Sequence, residues 1–486
     1  MPRLISASDG SAIMLGIQSA YGTPIRTHNA PVLNSEGSAI TTPGFIQKAF
    51  PVRRLDVDGD AEINESDLLT GSGAVAPDEI GQIWSQGVFD VRLLVEDFIH
   101  MLYGILNPSA LPTNADLADK VIQAGGTTLT AGKATFTETT SVAMQIGSRG
   151  YSKIDTVAGL LPSQLELTIP GTAGTKKALV RGFRQIGRPT DDRYYQEETV
   201  DFAANATTGT TTKFWSKIID VDFSVGATNP ASLGLTFKPV SKKTIMRFNT
   251  TNAIFGGWTG LLSRGRVPAR VQDLVPRTMT ISADATGMSA AFECQGVKFQ
   301  DLRTPEGGDN EVLAIPASDY TDHFADAPTR NYPGWGGAFQ FGEDIVKYES
   351  LEFVVDQRLD FSRGVDGSRY RSGLARQGQR RVTIRPVTEA LAPENAADTT
   401  QRWERNFIDE LRLPLKLVAY AFGSDGRGYR LGISSASSQL NEYPRFPIEG
   451  QGPVNRGLSF LAQPTATETS EIVVEIISEN GFSLAA

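Results

Sequence analysis

Alternation of apolar and polar residues runs through most of this chain. The segments "QLELTI" (Gln164–Ile169), "KALVRGF" (Lys177–Phe183), "RTMTISA" (Arg277–Ala283), "LEFVVDQRLDF" (Leu351–Phe361), "RRVTIRPVT" (Arg380–Thr388) and "EIVVEII" (Glu471–Ile477) all repeat with a period of two. That period marks half-buried β-strands, whose successive side chains point to opposite faces. Gly, Pro, Asn and Asp clusters separate the segments at short intervals, the spacing of an antiparallel sandwich or barrel. Two segments carry helical spacing instead. In "DVRLLVEDFIHMLYGIL" (Asp90–Leu106) the residues Leu93, Leu94, Phe98, Met101 and Leu102 share one face, and Gly104 is the expected close of the helix. In "DTTQRWERNFIDELRL" (Asp398–Leu413) the stripe is Trp403, Phe407, Ile408 and Leu411, with Pro414 as the expected stop.

Composition narrows the class. A chain of 486 residues is long enough for several domains with a sizeable core. Charged residues make up 21 %, and 48 Gly with 26 Pro point to many turns and short strands rather than to disorder. The net charge of −9 argues against a general nucleic-acid clamp, which needs surplus Lys and Arg. Cys294 is the sole cysteine, so the chain forms no internal disulfide, and its setting "AAFECQGVKF" reads as a strand with a buried thiol. "MPRLISASDG" lacks the apolar core of a secretion signal, and no run approaches the ~20 apolar residues of a membrane span. A soluble product kept in the cytosol is expected.

Catalytic motifs are sparse. His28, His100 and His323 lie far apart, and neither HExxH nor G-x-S-x-G occurs. "GTAGTKK" (Gly171–Lys177) has the wrong spacing for a phosphate loop, and "GSDGRGYRLG" (Gly423–Gly432) reads as a hairpin turn rather than a dinucleotide fingerprint. "DVDGDAEINESD" (Asp56–Asp67) has the oxygen-ligand spacing of a calcium loop, but Ala61 stands where a left-handed Gly is needed and Asp67 where a bidentate Glu is usual. An acidic loop tip is the expected reading, with no metal. The arginines 358, 363, 369, 371, 376, 380, 381 and 385 form a basic cluster with few aromatics between them. Pairing with acidic residues of a neighbouring subunit is favoured there over nucleic acid. Trp215, Trp258 and Trp335 could offer stacking platforms for a carbohydrate, although scattered tryptophans are more often core or interface anchors.

The order of segments resembles a known family. "GIQSAYGTPI", a long polar stretch, and then "IGQIWSQGVFDVRLLVEDFIHMLYGIL" resemble the N-terminal region of bacteriophage tail tube proteins, the major tail proteins of long-tailed phages. "TMTISADATGMSAAFECQGVKFQDL", the stretch Leu351–Leu391, and "EIVVEIISENG" resemble that family's later strands. The stretch Arg181–Gly226 resembles the small immunoglobulin-like add-on domains of such proteins. The resemblance implies a tail-tube-type antiparallel β-sandwich or barrel with accessory helices and an inserted immunoglobulin-like β-sandwich. Expected bounds are 1–112 and 268–486 for the tube core and 113–267 for the insertion. It further implies a structural virion protein, not an enzyme, made in the host cytoplasm and ending in the phage tail. The expected partners are the chain itself in stacked hexameric rings, a tape-measure protein and tail-end proteins. DNA would pass through the lumen without specific binding, with no membrane and no cofactor. In such proteins the long loop reaches a neighbouring ring, which makes Arg53, Arg54, Asp56, Asp58 and Asp60 the candidate inter-subunit contacts. A distal tail or baseplate protein and a carbohydrate-binding surface protein are the alternative readings.

Overall fold

The computed structural model describes residues 11–18, 48–64, 79–92, 98–108, 112–135, 161–171, 174–184, 195–215, 217–225, 229–249, 257–264, 268–284, 286–301, 337–342, 344–346, 348–361, 374–376, 378–389, 403, 406–422, 427–443, 455–479 and 481–482. The fold is mainly β and antiparallel, as its alternating pattern requires. Three strands open the chain: β1 (Ser11–Ile17), β2 (Lys48–Asn64) and β3 (Glu79–Arg92). The helix α1 (Phe98–Leu106) follows.

One 17-residue strand, Pro268–Asp284, organises the body. Its first half pairs with Trp258–Arg264, which pairs with β1, and β1 with β2. The hairpin β2–β3 leads on to Gly287–Gly296, which pairs with the second half of the same long strand. Hydrogen bonding thus closes on itself round six strands, which removes sheet edges as barrels do. Pro276 is tolerated inside so long a strand because a bulge falls there, between Pro276 and Thr278. The second half also pairs with Ser350–Asp356, and pairing continues through Arg381–Glu389 to the C-terminal strands.

A row of side chains shows how the sheet builds its core. Leu55, Phe89, Phe292, Met279, Val355 and Val382 lie side by side across six strands by register. All are buried except the half-buried Leu55, and Phe89 stacks on Phe292 with centroids 5.1 Å apart. α1 packs on the long strand. Its Gly104 faces Trp258: a Cβ there would lie 2.0 Å from Trp258 Cζ2. Gly104 is therefore a point of close approach inside the helix. The helix ends two residues later, where Asn107 takes the left-handed conformation (φ 45°) and its N–H bonds to the Tyr103 carbonyl.

Three local expectations need correction. Asp90–Arg92 belong to β3, not to the helix, because Phe89 and Val91 continue its period-two core face. The second helix includes Trp403 and residues 406–408 but ends at Glu410 (φ 50°), with Ile408 69 % and Leu411 39 % exposed. Pro414 sits inside the strand Arg412–Phe422 rather than stopping a helix. That strand's hairpin with Gly428–Leu440 forms as read from the sequence. "LEFVVDQRLDF" is broken at Arg358 (φ 53°), and Leu359–Phe361 pair separately with Leu374–Arg376.

A second core lies elsewhere. Two four-stranded sheets, built from strands between Lys120 and Lys238, enclose Leu165, Leu167, Val180, Trp215, Phe223 and Leu235. This sandwich is narrower in sequence than 113–267. Asn114–Asp116 pairs with Lys242–Arg247, which pairs with Val473–Ser478 of the body, and Trp258–Arg264 closes the barrel.

Candidate functional site

The face of the body sheet opposite the core is polar. Alternation alone dictates this, since each strand that buries every second residue must present the others outward. The row adjacent to the core row reads Asp56, Val88, Glu293, Thr278, Asp356 and Arg381 across six strands. Neighbouring rows bring Arg54 beside Asp90, Asp58 beside Gln86, and Glu352 beside Arg385. Among the described residues this face holds eight carboxylates (Asp56, Asp58, Asp60, Asp90, Asp284, Glu293, Glu352, Asp356) against three arginines (Arg54, Arg381, Arg385).

The expected acidic loop is strand here. Asp56 to Asn64 lie within β2, paired with β3 from Val88 down to Glu79. Asp56, Asp58 and Asp60 therefore stand in a row about 7 Å apart on one face instead of encircling an ion. Residues 65–67, which would complete a calcium loop, lie outside the described residues. Arg54 bonds Asp56 at 3.1 Å with both side chains about 60 % exposed (59 % and 61 %), and Gln86 Nε2 donates to Asp60 at 2.6 Å. Arg53 is the extra residue of a β-bulge between Val52 and Arg54. Its charge acts on Asp284, whose carboxyl is held below the ordinary range mainly by the Thr286 hydroxyl and the adjacent backbone N–H groups. The structure thus gathers four of the five candidate residues on one strand face and sets Arg53 apart.

Several other sequence readings fall here. In the basic cluster Arg358 pairs with Asp356 at 2.9 Å, Arg385 with Glu352 at 3.2 Å, and Arg380 with Glu471. Arg380 is nearly buried and also covers the Phe248 ring at 3.8 Å. Each of these arginines has a carboxylate partner within the chain. Arg363, Arg369 and Arg371 lie outside the described residues. Trp215 and Trp258 are fully buried and offer no platform to a sugar, and Trp335 lies outside the described residues. Cys294 is buried, and burial pushes its thiol well above the ordinary range. No group of three or more His, Cys, Asp or Glu side chains among the described residues is placed to hold a metal ion. No helix among them is long and apolar enough to cross a membrane.

Glu293 and Asp90 were not singled out from the sequence, because a lone acid in an alternating strand carries no signal of its own. Only the register aligns them with Asp56 and Asp356. No protein-family model matches this chain, and no curated protein matches it.

Proposed function

We propose that this chain is a tube-forming subunit of a long-tailed bacteriophage. Copies close into hexameric rings, rings stack, and the lumen passes DNA during ejection. The observation that supports the reading best is the two-sided sheet. One face builds a continuous apolar core, and the other is an extended polar surface in which carboxylates outnumber arginines. A wall of that sign repels phosphate and leaves a duplex free to slide, whereas a basic wall would hold it. The bulged hairpin β2–β3 adds a charged ribbon at one side of this sheet, and Arg53, Arg54, Asp56, Asp58 and Asp60 are proposed to set the register between rings. Heterologous contacts of that kind either close into rings or extend into filaments. The tape-measure and tail-end proteins are the proposed further partners, and the virion is the proposed location.

Negative-stain microscopy of the purified chain tests this directly. Tubes or stacked rings of uniform diameter with an open lumen are expected, from protein that binds duplex DNA negligibly at physiological salt. A chain that stays monomeric at every concentration, or one that coats DNA tightly, would overturn the proposal.

A further inference from the structure

The last described residues do something specific. Phe482 is 5 % exposed, and its ring packs against α1, 5.0 Å from Tyr103 and 5.3 Å from His100 by ring centroids. Its backbone is gripped on both sides by a single side chain. The Phe482 N–H donates to Asn114 Oδ1 at 2.9 Å, and Asn114 Nδ2 donates to the Phe482 carbonyl at 2.7 Å. The buried Thr244 hydroxyl donates to the same Asn114 oxygen at 2.7 Å. Gly481 makes the approach possible. It has φ 70°, and a Cβ there would lie 2.5 Å from Asn114 Cγ.

The positions of Asn114 and Thr244 give this contact its meaning. Asn114 opens the short strand through which the chain leaves the body for the inserted sandwich. Thr244 lies on the strand by which it returns. The two strands pair as Thr244↔Asn114, Lys243↔Ala115 and Lys242↔Asp116, so they form the stalk of the insertion. This pairing spans three residues on each side, and all three outgoing residues are exposed. An isolated ribbon of that length is marginal in water. Its attachment to the body comes from the pairing with Val473–Ser478 and from the grip on Phe482.

We propose that the Gly481–Phe482 pair is a clasp that holds the stalk of the inserted sandwich, so that the seating of this pair sets how freely the insertion moves. The clasp brings a segment from near residue 480 against α1, the outgoing strand and the return strand. It satisfies each polar group it uses and packs one aromatic ring on α1. This inference does not depend on the proposed tube function.

Hydrogen exchange on the full chain tests it. Phe482→Ala and, separately, Asn114→Ala should each speed exchange in peptides covering 114–119 and 242–247 by about tenfold, while peptides covering 268–284 keep their protection. Gly481→Ala, which leaves every clasping side chain in place but obstructs the approach, should reproduce the effect. Unchanged exchange of the stalk in all three variants would overturn the clasp. Equal acceleration in 268–284 would also overturn it, since the contact would then support the body as a whole.

Discussion

The inserted sandwich and the β2–β3 hairpin of the body handle exposed charge in opposite ways. On the sandwich, Arg181 meets Glu197 at 3.1 Å, Asp220 at 3.2 Å and Asp222 at 3.8 Å, while Lys133 reaches Asp220 at 3.2 Å. Lys177 pairs with Asp201, and Lys238 with Asp119 and Glu166. Opposite charges face one another across adjacent strands, so the surface cancels itself. On β2, Arg54 shares its face with three aspartates at every second position. Like charges in a row add little to the stability of a lone subunit and much to its choice of partner. The difference suggests that the sandwich is finished as a fold, whereas the hairpin face is shaped for something outside the chain.

Removing whole segments should break this comparison most severely. Because Lys242 pairs with Asp116, the sandwich leaves and re-enters at adjacent strand ends. Replacing residues 118–239 with a short Asn-Gly-containing turn should give a folded body with its cooperative melting intact. Removing 113–267 instead takes away Trp258–Arg264, the strand that closes the barrel, and should abolish folding. Calorimetry of both deletions checks this. Equal loss of the transition in both would refute the independence of the two cores.

Next in size is the sandwich's own core. Trp215 is fully buried, in one cluster with Leu165, Ile218 and Phe223. Trp215→Ala should cost about 3–5 kcal/mol, confined to the sandwich. A separate, lower melting step with the body transition unmoved is expected. A single shifted transition would show that the two regions unfold as one.

The self-cancelling face can be read by titration. Tyr195 has its pKa pushed up to about 12, by burial first and then by the hydrogen bond it donates to Glu197. The Glu197 carboxyl is held below its ordinary range, first by that same hydrogen bond. A raised phenol pKa stabilises the fold fully below pH ~10, the ordinary value, and that contribution is lost as pH climbs toward about 12. Ultraviolet titration should therefore show a late-ionising tyrosine that is missing in Tyr195→Phe. Glu197→Gln should bring the late step earlier, and an unmoved step would place its cause in burial alone.

The smallest effect on stability is expected where the effect on assembly is greatest. Reversal of Asp56, Asp58 and Asp60 to Lys should change subunit stability by only about 0.5 kcal/mol per site, because Asp56 and Asp58 are exposed and Asp60 is half-buried. The same variant should fail to elongate into tubes at low salt. Unfolding of the isolated subunit, or normal tube growth, would each defeat the inter-ring role.

Much of the fold was legible because burial on one sheet face writes a period of two into the sequence. "RTMTISA" and "EIVVEII" lie in strands for that reason, and Cys294 is buried in one. β2 was misread past Asp56 because its outward residues are aspartates and glycine breaks its inward pattern at Gly59. A charge-rich strand and an acidic loop have the same composition. The partners of Arg380 and Arg385 were equally hidden, since Glu471 lies 91 residues from Arg380 and Glu352 33 residues from Arg385 along the chain.

The sequence by itself determined the class of the fold, the alternation of faces and the buried thiol, since each follows from local spacing and hydrophobicity. Tertiary structure alone decided which strands close the barrel, where the sandwich begins, and that eight carboxylates share one face. Those depend on register between distant segments, and a register is a property of two strands at once.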